Sequence, residues 1–279
     1  MKQLVYLLVS ISILQAAFEF RYSGARSDAL AGSYTAIAEG VEGAIFNPAS
    51  LGYISRREIS AYYSYLYSSL GSGLKHLSLM TGPFKFLKGS FSISILRLSA
   101  SFDNWGTYAE NTVVFSHGIQ VSDRLLAGVS LNIYYLQNPG DLGNALAFGF
   151  DMGLLARIYD RWKMGIMVHN LNNPSLEAEG GREELPLWLS AGVSYRIGKY
   201  SLTSVDFRKS RDHDLRVSIG EEVKIADYLK VRAGVLNEGD LFRFSSGFGT
   251  TLGRFGLDYA IVFNPDLPLT HTLSFRFVL

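Results

Sequence analysis

The chain has 279 residues, 26 Lys plus Arg against 25 Asp plus Glu, a formal charge of +1 and no cysteine. A balance so close to neutral gives no reason to expect nucleic acid or any strongly charged partner. The missing cysteines exclude a disulfide framework, thiolate chemistry and a cysteine-linked lipid anchor. Only 18% of the residues are charged, while 28 Gly, 16 Tyr and 18 Phe point toward strands and turns.

Residues 1–17 carry one positive side chain, Lys2, then an apolar run from Leu4 to Leu14 and the small residues Ala16 and Ala17. That layout predicts a secretory signal peptide cleaved near Ala17, with the mature chain beginning near Phe18; the run is too short to cross a bilayer as a helix. A buried structural helix is the competing reading.

Residues 18–57 form the second region, organised around GARSDALAGSYTAIAEGVEGAIFNPASLGYI at 24–54. Leu30, Tyr34, Ile37, Ala38 and Val41 recur at the spacing of one helical face. This predicts a short helix capped by Ser27 and closed by Gly40 in the left-handed conformation. Asn47-Pro48-Ala49 follows; Pro48 removes a backbone donor and biases Asn47 toward extended backbone, which ends the helix and fixes a turn.

From residue 58 to 279 the pattern alternates. In 146–157, Leu146, Phe148, Phe150, Met152 and Leu154 share one face, and Ala147, Gly149, Asp151, Gly153 and Arg157 the other. Segment 254–263 repeats this, with Phe255, Leu257, Tyr259, Ile261 and Phe263 against Gly256, Asp258 and Ala260. One face suits lipid and the other is small and polar, as in the strands of a transmembrane barrel. No apolar run after residue 17 is long enough for a transmembrane helix, so a membrane-spanning form must be a closed barrel. A soluble β-sandwich also alternates and is the alternative fold.

Fourteen strands are predicted, at 58–68, 75–82, 90–98, 111–120, 125–136, 146–157, 162–170, 187–196, 200–208, 215–225, 229–236, 241–252, 254–263 and 271–279. The number is even, as single-chain bacterial barrels require. Short connections (121–124, 158–161, 198–199, 226–228 and near Gly253) alternate with long ones (99–110, 137–145 and 170–186). That alternation fits periplasmic turns and outer loops. The stretch 83–89 is out of step, seven residues where a tight turn belongs.

Gly24-Ala25-Arg26, the small-residue run Asp28 to Ala38, the acidic Gly-containing turn Glu39 to Gly43 and Asn47-Pro48-Ala49 resemble, in order and spacing, the N-terminal hatch of FadL-type outer-membrane barrels, and especially the PorV/PorQ-like branch. Downstream, 118–131, 149–155, 165–171, 219–235, 246–260 and 270–277 resemble that branch's strand and turn motifs. The resemblance implies an all-β, fourteen-stranded antiparallel barrel in the outer membrane with the N-terminal segment as a helical plug in the lumen. The implied plug residues are Gly24, Arg26, Glu39, Glu42, Asn47, Pro48 and Ala49. Two departures stand out: the long outer loops of the fatty-acid transporters are absent, and Val278 and Leu279 follow the terminal aromatic Phe277.

Strand direction and parity place Arg157, Lys163, Arg196, Lys224, Lys230, Arg232 and Arg276 toward the periplasmic half of the lumen, with Glu222 and Asp258 among them. Two expectations follow. These residues pair with one another and with plug residues Glu39 and Glu42; or some hold the carboxylate of an amphipathic ligand whose tail lies on Leu155 or Met167. Gly247 and Gly249 are expected to face the lumen and pack tightly against the plug.

Enzymatic constellations are poor. The five histidines are scattered, no His-Glu-x-x-His or Gly-x-Ser-x-Gly occurs, and no catalytic residue, metal site or cofactor is expected. Two functions are compatible with the sequence. One is passive transport of a hydrophobic small-molecule ligand gated by the plug, with outer-membrane lipid as the surroundings. The other is a role like that of PorV in type IX secretion, holding secretion-system proteins or secreted cargo, for which Phe102, Trp105 and Tyr108 are the candidates; the alternative for these aromatics is a place in the interfacial girdle.

Overall fold

The computed structural model describes residues 17–19, 23–53, 56–67, 73–102, 106–139, 143–178, 181–239 and 241–279. The expected leader, apart from Ala17, lies outside the described residues.

Strand alternation closes into a barrel. In chain order the strands are β1 (Glu58–Tyr65), β2 (Lys75–Phe86), β3 (Gly89–Phe102), β4 (Gly106–Ser122), β5 (Leu125–Gln137), β6 (Ala145–Tyr159) and β7 (Trp162–His169). A small hairpin, β8 (Ser175–Ala178) and β9 (Gly181–Glu184), follows in the next outer connection. The barrel resumes with β10 (Trp188–Ile197), β11 (Ser201–Ser210), β12 (Arg216–Ala226), β13 (Leu229–Glu238), β14 (Leu241–Leu252), β15 (Phe255–Asn264) and β16 (Leu267–Val278). Each strand pairs antiparallel with its neighbours, β7 with β10 across the hairpin, and β1 with β16 closes the ring from Glu58↔Val278 to Tyr65↔His271. Closure leaves no unpaired edge, which is what a sheet in hydrocarbon requires.

The two faces separate as the alternation dictates. On β6, Leu146, Phe148, Phe150, Met152 and Leu154 are all about half exposed on the outside, while Ala145, Ala147, Asp151 and Leu155 are buried. The outer surface is an apolar belt, the inner one small and polar, the inverse of a soluble sandwich.

Two expectations about connections are corrected. Most of 99–110 is strand: β3 runs to Phe102 and β4 starts at Gly106, so the outer connection is only residues 103–105. Tyr108 is buried at 3% exposure and donates to Glu110 Oε1 at 2.9 Å, so it offers no outer surface to a partner. Trp105 lies outside the described residues. The out-of-step stretch 83–89 is also strand, because β2 continues to Phe86 through an irregularity between Thr81 and Phe84 and then turns tightly at Leu87-Lys88. Gly and Pro at 82–83 read as a break, whereas a bulge accommodates them within the strand.

Residues 25–53 fill the lumen. They comprise α1 (Ala25–Ala29), α2 (Gly40–Phe46) and a 3-10 turn at Pro48–Tyr53. Leu30, Tyr34, Ile37, Val41, Ile45 and Phe46 are buried together with Met80 and Leu202 of the wall. The single predicted helix is therefore two. Ala31 and Gly32 take positive φ (52° and 78°) and end α1, and Gly40 (φ 72°) opens α2 instead of closing its predecessor. Ser27 lies within α1 and its hydroxyl donates to Gly24 O at 2.7 Å. The helix breaks because the wall offers better partners to the 30–39 backbone than a helix would, as the site geometry shows.

Candidate functional site

The plug is held first by backbone contact with the wall. A Cβ added at Gly128 of β5 would lie 2.3 Å from Pro48 C, and one at Gly165 of β7 would lie 2.3 Å from Thr35 O. Wall side chains then take up the plug's backbone groups. Asp206 Oδ2 accepts the N–H groups of Tyr34 (3.0 Å) and Thr35 (2.7 Å), and Glu58 Oε1 accepts that of Val41 (2.6 Å). Ser204 and Ser245 donate to Ser33 O (2.8 Å) and Ala29 O (3.0 Å). In return, Asn47 Nδ2 donates to Leu154 O (3.0 Å) and Ile166 O (3.3 Å), in an extended conformation that ends α2. These bonds replace helical ones and account for the irregular path between α1 and α2.

Charge supplies the second set of anchors. Glu222 of β12 accepts from Arg26 Nε (2.8 Å) and Nη2 (3.1 Å), from Arg232 Nε (2.8 Å) and from Lys230 Nζ (3.2 Å). Arg232 also pairs with Asp258, and Arg26 with the more exposed Glu39 at 2.9 Å. The guanidinium of Arg26 lies over the ring of Tyr34, 5.5 Å from its centroid. The plug thus contributes the cation and the wall the carboxylate, whereas the sequence suggested plug acids meeting wall bases. Glu42 does not join this network; it accepts from Ser60 of β1. Asp28 accepts from Tyr62 at 2.9 Å.

The remaining predicted lumen charges separate from this cluster. Lys224 pairs with Asp227 in the β12–β13 turn, and Arg157 donates to Asp123 O in the β4–β5 turn at 2.9 Å. Lys163 and Arg196 line a small cleft beneath the plug with Arg26, Glu39, Asp160 and Arg161. The Arg276 guanidinium lies against Gly256, where an added Cβ would stand 3.2 Å from Nη2. Leu155 packs on Ala49 and Leu126, and Met167 is 1% exposed, so neither is free to receive a ligand tail. Gly247 packs on Ala29 of the plug, but Gly249 makes room for Asp258 and Arg232.

Burial and charge set opposite protonation tendencies within the plug. Arg26 holds Glu39 down to about 2, whereas burial raises Asp28 and Glu42 to about 7. A carboxyl raised in the docked state favours docking most fully below its free value and loses that contribution as pH rises toward the docked value. Exchange protection of residues 25–46, corrected for intrinsic rates, is therefore expected to fall between pH 5 and pH 8. In a D28N/E42Q variant it should be flat over that range; a wild-type profile equally flat would remove these two groups as the cause.

Above the plug are two spaces that share Glu19 and His76 in their linings. The larger, about 200 Å³, is bounded by Asp28, Tyr62, His76, Leu236, Phe244 and Val262 among others. A second, about 70 Å³, has Phe18, Ile45, Leu96, Leu98 and Val114 on its apolar side and His76, Asn132, Asp151 and His169 on its polar side. Here His169 Nδ1 is 2.9 Å from Asp151 Oδ1, and Asn170 N–H donates to the same oxygen at 2.9 Å. On the lipid side of β1–β3 and β16, the small Ala61 leaves a groove of about 410 Å³ walled by Tyr63, Leu77, Leu79, Ile95, Leu273 and Phe275. Tyr62 borders both the 200 Å³ chamber and this groove. The wall acids Asp206, Glu58 and Asp151 were missed as plug or chamber groups from the sequence, although strand parity placed each on the inner face.

No protein-family model matches the sequence, and no curated protein is significantly similar to it. Among solved structures the chain is similar to the toluene transporter TbuX of Ralstonia pickettii (TM-score 0.69, 14% identity, covering 94% of this chain and 100% of that one). It is also similar to the CymD monoaromatic hydrocarbon channel (0.68, 15% identity, 94% and 99%) and to a Pseudomonas aeruginosa FadL homologue (0.64, 13% identity, 94% and 99%). At these identities the likeness establishes the fold alone, a closed fourteen-stranded antiparallel barrel with its N-terminal segment inside.

Proposed function

We propose that the chain is an outer-membrane channel for passive passage of small hydrophobic or amphipathic molecules, gated by its N-terminal plug. The observation that carries this reading is the chamber of about 200 Å³ above the plug, whose lining includes Asp28 and Ala31 of the plug itself, so that displacing the plug would open it toward the periplasm. The chamber has the volume of one benzene-sized molecule, and its lining sets Leu236 and Val262 beside Asp28, Arg216 and Arg243, which suits a small amphipathic solute. The route leads from the outer loops into the chamber and then past the plug to the periplasm, because the ladders of β1 with β2 and β16 are unbroken at Tyr62. Solved channels of the same fold, the toluene transporter TbuX and the CymD monoaromatic hydrocarbon channel, support the substrate class. The partner-holding alternative of the PorV kind loses Tyr108, which faces the lumen.

Toluene entry into vesicles containing the intact protein tests this reading. Entry above that of protein-free vesicles is expected, both kinds of vesicle carrying a lipopolysaccharide leaflet that slows toluene's own passage. If the intact barrel is tight and only a form lacking residues 18–52 conducts, the plug is permanent and the channel reading fails.

A further inference from the structure

Residues 17 and 18, at the outer end of the lumen, make an arrangement that the channel reading does not use. The backbone nitrogen of Phe18 lies 3.1 Å from Glu110 Oε2, and that of Ala17 lies 2.9 Å from Glu183 Oε1. Glu110 belongs to β4 of the wall and Glu183 to β9 of the outer hairpin, so wall and hairpin bring carboxylates to two consecutive backbone nitrogens. Glu110 is 6% exposed, and its other oxygen accepts from Tyr108 at 2.9 Å. The Phe18 ring packs edge-on to Tyr134 at 4.9 Å, within a buried cluster that includes Leu136, Ala147, Leu176 and Leu185. Phe18 has φ 54°, a conformation that a residue with a Cβ keeps only where its surroundings hold it.

We propose that Phe18 is the first residue of the exported protein and that its α-ammonium docks on Glu110, making the processed chain end a buried anchor that closes the chamber from the outside. A signal peptidase adds water across the Ala17–Phe18 amide; the leader departs with the new carboxylate on Ala17, and Phe18 keeps its nitrogen as the ammonium. The N–H contact to the Glu110 carboxylate becomes a contact between two opposite charges, an ammonium on a carboxylate. The contact is present in the uncleaved chain as a single N–H donor, and only cleavage turns it into an ion pair, so the anchor over the space lined by Phe18 reaches its full strength after export. The sequence agrees, because the small residues Ala16 and Ala17 immediately precede the docked position.

The test uses protein purified from outer membranes, analysed by intact mass and by acetylation at pH 7. At that pH an α-amine is far more reactive than a lysine because its ordinary pKa is near 8. A mass corresponding to residues 18–279 is expected, with the α-amine labelled many-fold more slowly in the native protein than after unfolding. Glu110→Gln should restore fast labelling in the native state while Glu183→Gln does not; Glu110→Asp, which keeps the charge, serves if the Gln variant fails to assemble. A different first residue, native labelling as fast as unfolded, or sensitivity to Glu183 alone overturns the proposal. Vesicle entry of toluene is read separately, so this proposal and the channel reading fail independently.

Discussion

Glu222→Gln is expected to release the plug while leaving the barrel assembled. Two carboxylate oxygens of Glu222 receive four N–H donors from Arg26, Arg232 and Lys230. The amide removes the negative charge and turns one acceptor into a donor facing cations. Arg232 keeps Asp258, but Arg26 is left with Glu39, whose side chain is 70% exposed and screened by water. Breaking a buried pair from one side costs about 3–5 kcal/mol, because the partner charge stays buried. Arg26→Met should cost less, since Glu222 then retains Arg232 and Lys230. The expected order is read by hydrogen exchange over residues 25–46 and by leak of small solutes from vesicles: Glu222→Gln most affected, Arg26→Met next, wild type least. Unchanged protection in Glu222→Gln would show that the backbone contacts suffice and the charge cluster is not the anchor.

The sequence made the barrel legible because strand alternation is a local signal: Leu146 to Leu154 and Phe255 to Phe263 announce an outer face without any knowledge of neighbours. All fourteen strands are present, and their errors lie at the ends, where β3 and β4 carry the alternation through Phe102 and Gly106 into what composition reads as loop. The plug was legible as a segment but not as a shape. Leu30, Tyr34, Ile37 and Val41 are all buried as a helical face predicts, yet the barrel surrounds the segment, so burial does not require one helix. What breaks the helix is Asp206, some 170 residues downstream, taking the N–H groups of Tyr34 and Thr35. The charged lumen was legible in sign and side, not in partnership. That Arg26 meets Glu222 depends on how the plug is rotated, which no periodicity in the chain encodes.

Gly128→Val is expected to prevent the plug from docking and to do so without affecting strand pairing. Gly118, Gly128 and Gly153 lie abreast on β4, β5 and β6, in register across the ladders, and form a bare floor under the Asn47–Tyr53 turn. A Cβ at Gly128 would meet Pro48 C at 2.3 Å, Ala49 N at 2.4 Å and Pro48 O at 2.6 Å, all backbone atoms, so no rotamer change relieves the clash. Overpacking ordinarily costs about 1–3 kcal/mol, and a rigid neighbour puts this case at the upper end or beyond. The control is Ala127→Val, one residue earlier on the lipid side of the same strand, which adds the same β-branched character to β5 with space to receive it. Limited proteolysis in folded barrels should cut residues 25–53 in Gly128→Val and spare them in Ala127→Val and wild type, with heat-modifiable mobility retained in all three. Loss of assembled barrel in Gly128→Val, with Ala127→Val normal, would mean that the plug is needed for closure; the glycine floor would then be a folding template as well as a seat. Intact plug protection in Gly128→Val would show that the turn can rise off the floor, and the close backbone approach would not be what holds it.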